Sequence, residues 1–253
     1  MNNQYPDLDK QVVFVTGAAS GIGEAQVHAF LAQGAFVFGF DRQVGKMGTV
    51  AQHFSEQFSF FVGDIRDQSS LEQAIRQCHE YFGTVTILLN TAGILDDYKP
   101  LLETSEELWE SIYETNVKSM FRVTRLLLPE MIAQQAGVII NMASIAGLVA
   151  GGGGIAYTSA KHAIVGFTKQ LALDYAAKGI RVKAIAPGAI ETPMNAADFA
   201  GTGEMAQWVA DETPVKRWAK PEEVAELTLF LATPQASYIQ GAIVPIDGGW
   251  LLK

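Results

Sequence analysis

The sequence predicts an α/β fold: a three-layer, doubly wound parallel sheet of about seven strands with helices on both faces. Three observations carry that reading. Short apolar runs recur along the chain, longer stretches with helical spacing separate them, and the runs are apolar throughout rather than alternating with polar residues. A strand that is apolar on both sides is covered on both sides, which is what helices crossing over a parallel sheet provide. No repeat, low-complexity linker or charge block divides the 253 residues, so one domain over 1–253 is expected.

Taken in order, Val12–Thr16 is the first buried-strand run, and it feeds a glycine-rich stretch over 17–23. A helix follows, with Ile22, Ala25 and Ala29 and then Val27, Phe30 and Leu31 at helical spacings, and Gly34 stops it. Residues 35–40 form the second run and close on Asp41, while residues 58–63 form the third and end at Asp64. Ser69 and Glu72 have the spacing of a capping box for the next helix, which Gly83 ends. Runs at 85–90 and 138–143 flank a helical region that Thr104 and Glu107 would cap and that Pro129 would kink or end. A long helix over 157–178 stops at Gly179 before a strand over 180–186. Residues 222–232 read as a further helix and 242–246 as the last strand.

Composition narrows the function classes. Hydrophobic residues make up 49% of the chain and charged ones 18%, ample for a buried core and unlike a disordered segment. A net charge of −9 argues against nucleic acid or an anionic membrane as partner, because phosphate surfaces call for clustered Lys and Arg. Cys78 is the only cysteine, so it has no internal disulfide partner and no cysteine cluster for a metal, which fits a reducing cytoplasm. His28, His53, His79 and His162 are scattered without metal-ligand spacing, and no metal site is expected. Residues 1–11 are polar, unlike a signal or transit peptide, and no apolar run approaches the ~20 residues of a membrane span.

The stretch Thr16-Gly17-Ala18-Ala19-Ser20-Gly21-Ile22-Gly23 sits where a strand hands over to a helix. Glycines there permit positive φ, let backbone N–H groups approach a pyrophosphate and let helix and strand pack closely. The helix N-terminus adds partial positive charge for the anion. Asp41, 20 residues after Gly21, stands where a carboxylate accepts both hydroxyls of an adenosine ribose and repels a 2′-phosphate. Turn and carboxylate together point to a Rossmann-type sheet that binds NAD. Ser20 is neutral, which agrees, whereas Arg42 beside the carboxylate is the one feature that would welcome a phosphate. Asp64, ending the third strand, would meet the adenine edge.

Tyr157 and Lys161 are four residues apart on one predicted helix and so share a face. A free phenol, with a pKa near ~10, is a poor base at neutrality, and a nearby ammonium would lower that value. Ser144, at the end of the preceding strand, offers a hydroxyl to a substrate oxygen. Taken alone, such a pair is common on amphipathic helices; its place in a dinucleotide fold is what gives it weight.

From about Lys10 to Gly249 the chain resembles the short-chain dehydrogenase/reductase family. The matching pieces are the Gly17–Gly23 turn, Asp64, Asn90-Thr91-Ala92-Gly93, Asn116, Ser144, Tyr157 with Lys161, Pro187-Gly188 with Thr192, and Asp247-Gly248-Gly249. Ala186 departs from the pattern, where Asn often precedes the Pro-Gly pair. The resemblance implies that Tyr157 is the general acid/base, that Lys161 tunes it and bonds the nicotinamide ribose, and that Ser144 polarises the carbonyl. Asn116 would support a proton-relay water. Cofactor contacts would come from Gly17, Ser20, Gly21, Ile22, Gly23, Asp41, Arg42, Asp64, Ile65, Asn90, Ala92 and Gly93, and further along from Tyr157, Lys161, Pro187, Gly188, Ile190 and Thr192. It also implies a homotetramer, with helices near 104–134 and 157–178 across a two-fold axis and the C-terminal end completing another contact.

The resemblance further implies that substrate would meet Ile94, Leu95, Ile145, Val149 and a lid over about 192–218, a stretch whose Gly201 and Gly203 suit mobility. Met205 and Trp208 suit packing onto that lid or into the core. These walls are apolar and carry no arginine clamp, so a small, largely uncharged ketone or secondary alcohol is expected. Gly151 to Gly154 would open the rim or make it mobile, and Asp96 and Asp97 read as a solvated loop pair. Two other readings stand beside this one. A 3-oxoacyl-thioester reductase would prefer NADPH and dock an acidic carrier protein, yet residues 132–137 hold no Lys or Arg. A non-catalytic nicotinamide sensor would not need Asn116, Ser144, Tyr157 and Lys161 intact. An enoyl reductase would space its Tyr and Lys by seven.

Overall fold

A computed structural model describes residues 4–253. Seven strands form one sheet: β1 Val12–Thr16, β2 Phe36–Asp41, β3 Phe58–Val62, β4 Ile87–Asn90, β5 Gly137–Met142, β6 Ile180–Pro187 and β7 Ile243–Ile246. Every neighbouring pair is parallel, in the order β3-β2-β1-β4-β5-β6-β7. The order reverses between β1 and β4, and the crevice at the carboxyl ends of those two strands is where such sheets bind ligands.

Helices α1 Gly21–Ala32, α2 Met47–His53, α3 Gln68–Phe82, α4 Glu106–Tyr113, α5 Ser119–Gln134, α6 Ile155–Tyr175, α7 Glu204–Glu212 and α8 Pro221–Ala232 complete the alternation. The period of two along β1 sends its side chains to two separate cores. Val13 and Val15 join Val27, Phe30, Val224 and Leu229 on the face covered by α1 and α8. Phe14 joins Leu71, Ile75, Val123, Leu127 and Leu171 on the face covered by α3, α5 and α6. Polar links tie the layers together: fully buried Gln26 donates to Thr228 of α8 at 3.0 Å and accepts from Thr91 beyond β4 at 2.7 Å.

Two helix starts differ from expectation. Asp67, rather than Ser69 with Glu72, caps α3, because its carboxylate accepts from the N–H groups of both Ser69 and Ser70 at 3.1 Å. Ser105, rather than Thr104, caps α4 by accepting from Leu108 N–H. Each true cap lies directly before the first helical residue, where its oxygen reaches the free amides of the first turn. Helix α5 runs on through Pro129 and ends at left-handed Gln135, held by Leu127, Leu128 and Met131 buried against the sheet. Short helix α2 escaped the reading of apolar periods altogether, since only Met47 and Val50 of its seven residues are buried.

Candidate active site

The glycine turn brings the ends of β1 and β4 together. Thr16 Oγ1 accepts from the N–H groups of Thr91 at 3.0 Å and Ala92 at 3.1 Å and donates to Leu89 C=O. A side chain at Gly17 would come within 2.9 Å of Ala92 Cα, and one at Gly23 within 1.9 Å of Gly17 O. Both positions therefore exclude a Cβ, and the first turn of α1 lies against the crevice with its N–H groups free to meet an anion. Asp41, at the end of β2, accepts from Ala19 N–H at 3.1 Å and Gln43 N–H at 3.0 Å, which fixes its carboxylate beside that turn.

One cavity of about 920 Å³ begins at this turn and runs across the carboxyl ends of the strands. Gly17, Ser20, Gly21, Ile22, Gly23, Asp41, Arg42, Asp64, Ile65, Ala92 and Gly93 line it at one end. Ser144, Tyr157, Lys161, Pro187, Gly188, Ile190 and Thr192 line it farther along. The cleft thus gathers residues spread over more than two thirds of the chain. Asp64 does not stand free at its edge, because Arg66 grips both carboxylate oxygens at 2.6 to 3.0 Å and holds the Asp64 carboxyl below its ordinary range.

Two residues on the expected contact set lie outside the cavity wall. The Asn90 side chain is buried in the sheet, donating to Thr124 Oγ1 at 3.2 Å and Asn141 Oδ1 at 2.9 Å. Asn116 sits in a π turn, Glu114–Lys118, between α4 and α5, and its amide both accepts from and donates to the backbone of Ile94, at 2.8 and 2.9 Å. Its side chain thus holds the loop that follows Gly93. A π turn interrupts regular helix bonding and is often found at functional sites.

Tyr157 and Lys161 lie on one face of α6, both buried, with Lys161 Nζ 5.3 Å from the phenol ring centre. Lys161 donates to Met142 C=O at the end of β5 at 2.8 Å. Burial pushes the Tyr157 phenol up to about 12, with a hydrogen bond from Ser144 acting in the opposite direction. Burial likewise pushes the Lys161 ammonium down to about 7. Lys161 is not among the groups that lower the phenol here; burial is the largest influence on both groups and favours their neutral forms. A neutral phenol is a proton donor.

The far end of the cavity is lined by Ile94, Leu95, Tyr98, Ser111, Thr115, Ile145, Met194, Asp198, Met205, Trp208 and Trp218. Met205 and Trp208 are 54% and 55% exposed, so they belong to the cleft wall and not to the core. Val149 lies outside this wall. Tyr98, Ser111, Thr115 and Asp198 went unnoticed in the sequence because loops and helix ends bring them here without any periodic signature. Asp198 is half-buried, and burial raises its carboxyl above the ordinary value.

Two expectations about loops are overturned. Asp96 is not solvated: it is fully buried and accepts two backbone hydrogen bonds. Gly153 and Gly154 do not open the rim, since a Cβ would meet the Tyr157 ring at 2.5 Å in one case and Asp96 Oδ2 at 2.6 Å in the other. Of the four glycines only Gly151 stands in open space.

The comparisons agree with this geometry. A family model described as enoyl-(acyl carrier protein) reductase matches residues 17–251. The chain belongs to the short-chain dehydrogenase/reductase family. It is 34% identical to the 3-oxoacyl-(acyl-carrier-protein) reductase of Thermotoga maritima over 249 residues, covering 97% of this chain and 99% of the relative. It is 35% identical to 3beta-hydroxysteroid dehydrogenase 2 of Eggerthella lenta, over 97% of this chain and 96% of that one. Among solved structures, a variant of actinorhodin polyketide ketoreductase with NADPH superposes with a TM-score of 0.90 at 32% identity, covering 95% of this chain and 97% of the other. The chain is an oxidoreductase that binds a nicotinamide dinucleotide and acts on CH–OH groups.

Proposed function

We propose that the protein is an NAD-dependent dehydrogenase that interconverts a small, largely uncharged ketone and its secondary alcohol. The observation that carries this reading is one continuous cleft with Asp41 at the ribose end and Ser144, Tyr157 and Lys161 in its wall. The residues fit the cofactor: Gly17 and Gly23 leave a cradle that a Cβ would fill, and Asp41 is held with its oxygens beside that cradle. Bound nicotinamide supplies or accepts the hydride at the substrate carbon. In reduction, Ser144 holds the carbonyl oxygen and Tyr157 donates the phenolic proton to that oxygen, giving the alcohol. In oxidation Tyr157 must first lose its proton, and a charged Lys161 on the same face of α6 favours the phenolate. The Asn116 amide holds the Ile94 backbone beside the cleft.

Negative charge at Asp41 disfavours a 2′-phosphate, and Arg66, the other arginine lining the cleft, is paired with Asp64. A second reading has its own support: 3-oxoacyl-thioester reduction with NADPH, favoured by the Thermotoga relative and by Arg42 in the cleft wall. The four-residue Tyr157–Lys161 spacing counts against enoyl reduction. The mobile cover is the segment over about 192–218. We infer a homotetramer in the cytoplasm, supported by Phe121 on α5 and Ile155 and Leu173 on α6, apolar residues that are 46%, 37% and 76% exposed. A monomer in sedimentation at micromolar concentration would refute it. The activity is tested by following NADH and NADPH oxidation with small linear and cyclic ketones beside acetoacetyl thioesters. Ketone turnover with NADH is expected; thioester turnover with NADPH alone would transfer the assignment to the second reading.

A further inference from the structure

Asp96 lies in the loop between β4 and the short 3-10 turn Leu101–Glu103, and no part of it reaches solvent. Its Oδ1 accepts the N–H of Gly154 and its Oδ2 the N–H of Tyr157, each at 2.8 Å. The same loop turns back through Lys99, whose N–H donates to Asp96 C=O at 3.3 Å and whose C=O accepts from Ile155 N–H at 3.2 Å. Three amides at the start of α6 thus find their partners in this one loop, and the last belongs to Tyr157. No Lys, Arg or His pairs with Asp96 among the described residues, so the N-terminus of α6 alone balances the buried charge.

The clamp leaves no slack. A Cβ on Gly154 would stand 2.6 Å from Asp96 Oδ2 and equally close to Lys99 N and O. Between the two anchored residues, Asp97 and Tyr98 both adopt left-handed backbone, at φ of 54° and 57°, which a side chain rarely tolerates. Strain of that kind persists only where the surroundings over-determine it, and it clusters at functional sites. The product of the turn is Tyr98, half exposed and lining the same cavity as Tyr157.

We propose that Asp96 is a positioning residue for hydride transfer: its carboxylate fixes the backbone of Tyr157 and, through the strained 97–98 turn, the place of Tyr98 in the substrate cleft. An ordinary helix cap would stabilise α6 without governing the chemistry. Asp96 differs because it grips the amide of the acid/base residue itself and faces it with a negative charge. The groups facing the Tyr157 phenol are Ser144, Lys161 on its own helix, and Tyr98 and Asp96 from this loop; burial does most to hold the phenol in its protonated form, and Tyr98 and the Asp96 charge act in the same direction.

The inference rests on the dehydrogenase reading, and its test separates the two. Asp96→Asn keeps the shape, removes the charge and turns an amide donor toward a backbone N–H. Hydrogen exchange over residues 153–158 should lose protection, while the NADH dissociation constant stays within about threefold because the cradle lies elsewhere. Oxidation of cyclohexanol or a 3-hydroxybutyryl thioester, whichever the wild type accepts, should lose about 10- to 100-fold in kcat. Its acid limb should move to lower pH, since the phenol gives up its proton more readily without a neighbouring carboxylate. Gly154→Ala strains the same clamp but keeps the charge, so it should lose kcat without moving the acid limb. The effects of the two changes should also fail to add in the double variant. Unchanged exchange over 153–158, or a fall in kcat with the acid limb unmoved in Asp96→Asn, overturns the proposal. If Asp96→Asn does not fold and bind NADH, Gly154→Ala decides alone, and wild-type kcat in it is equally fatal. A wild type that oxidises neither alcohol defeats the dehydrogenase reading instead, and the exchange measurement still decides the clamp.

Discussion

At the dinucleotide end of the cleft the backbone leaves little room for side chains at Gly17 and Gly23, whereas the glycines of the segment over about 192–218 stand in open space. Gly17, Gly23 and Gly188 would each drive a Cβ to within 3 Å of another segment's backbone or their own turn. Gly201 and Gly203, with φ of 64° and 70°, would meet nothing within 4 Å. The same contrast runs through the side chains. Thr16, Gln26 and Asp41 are locked by hydrogen bonds that cross between elements. In the cover, the 3-10 segment Pro193–Phe199 has no buried residue and α7 buries only Ala206, while Met194, Phe199, Met205 and Trp208 remain exposed. The difference supports the proposed division of labour: sheet topology shapes the cofactor end, and on the proposed dehydrogenase reading a segment with little packing of its own selects the carbonyl.

That comparison can be broken at either end. The largest effect is expected from Gly23→Ala, where the new methyl group collides with Gly17 O; NADH affinity by fluorescence titration should fall by about 100-fold or more. Next, Asp41→Ala should reduce the preference for NADH over NADPH by about tenfold, read as the ratio of kcat/KM values, through loss of repulsion toward a 2′-phosphate. Trp208→Ala should raise KM for the ketone by about fivefold and leave NADH affinity unchanged, because the indole lines only the substrate end. Gly201→Ala should change kcat and KM by less than about threefold, since it meets only backbone strain. An effect of Gly201→Ala as large as that of Gly23→Ala would erase the distinction between the two ends.

A smaller effect concerns pH. A lysine whose folded-state pKa is lowered to about 7 from its ordinary 10.5 contributes stability that is complete above 10.5 and is lost as pH falls through about 7. The cofactor-free wild type should therefore gain Tm as pH rises from 7. Lys183, pushed down to about 8 by burial, adds to the same trend. Lys161→Met should flatten the rise without abolishing it; an unchanged slope would mean that Lys161 is not desolvated as described.

The strands, their order of appearance and most of the cleft wall were legible in the sequence for a physical reason. Buried parallel strands carry unbroken apolar runs, and a phosphate turn needs its glycines at set spacing. What stayed hidden depends on partners distant along the chain. Asp96 looks like half of a hydrophilic pair until α6 is brought against it, 61 residues away. Gly153 and Gly154 look like a flexible rim until the Tyr157 ring and Asp96 occupy the space their side chains would take. Spacing on a helix revealed that Lys161 neighbours Tyr157 but not the burial that surrounds both groups. Asn90 was read as a cofactor contact and Asn116 as support for a relay water; the structure has the Asn90 amide donate to Thr124 and Asn141 within the core and the Asn116 amide hold the loop at Ile94.

The central claim is that this cleft moves a hydride with Tyr157 as the proton donor and acceptor. Tyr157→Phe tests it most directly, since the ring keeps its packing and loses only the hydroxyl. Single-turnover reduction of the best ketone should slow by about 1,000-fold or more while the NADH dissociation constant stays within twofold of wild type. Wild-type rates in that variant, with NADH bound normally, would contradict the account.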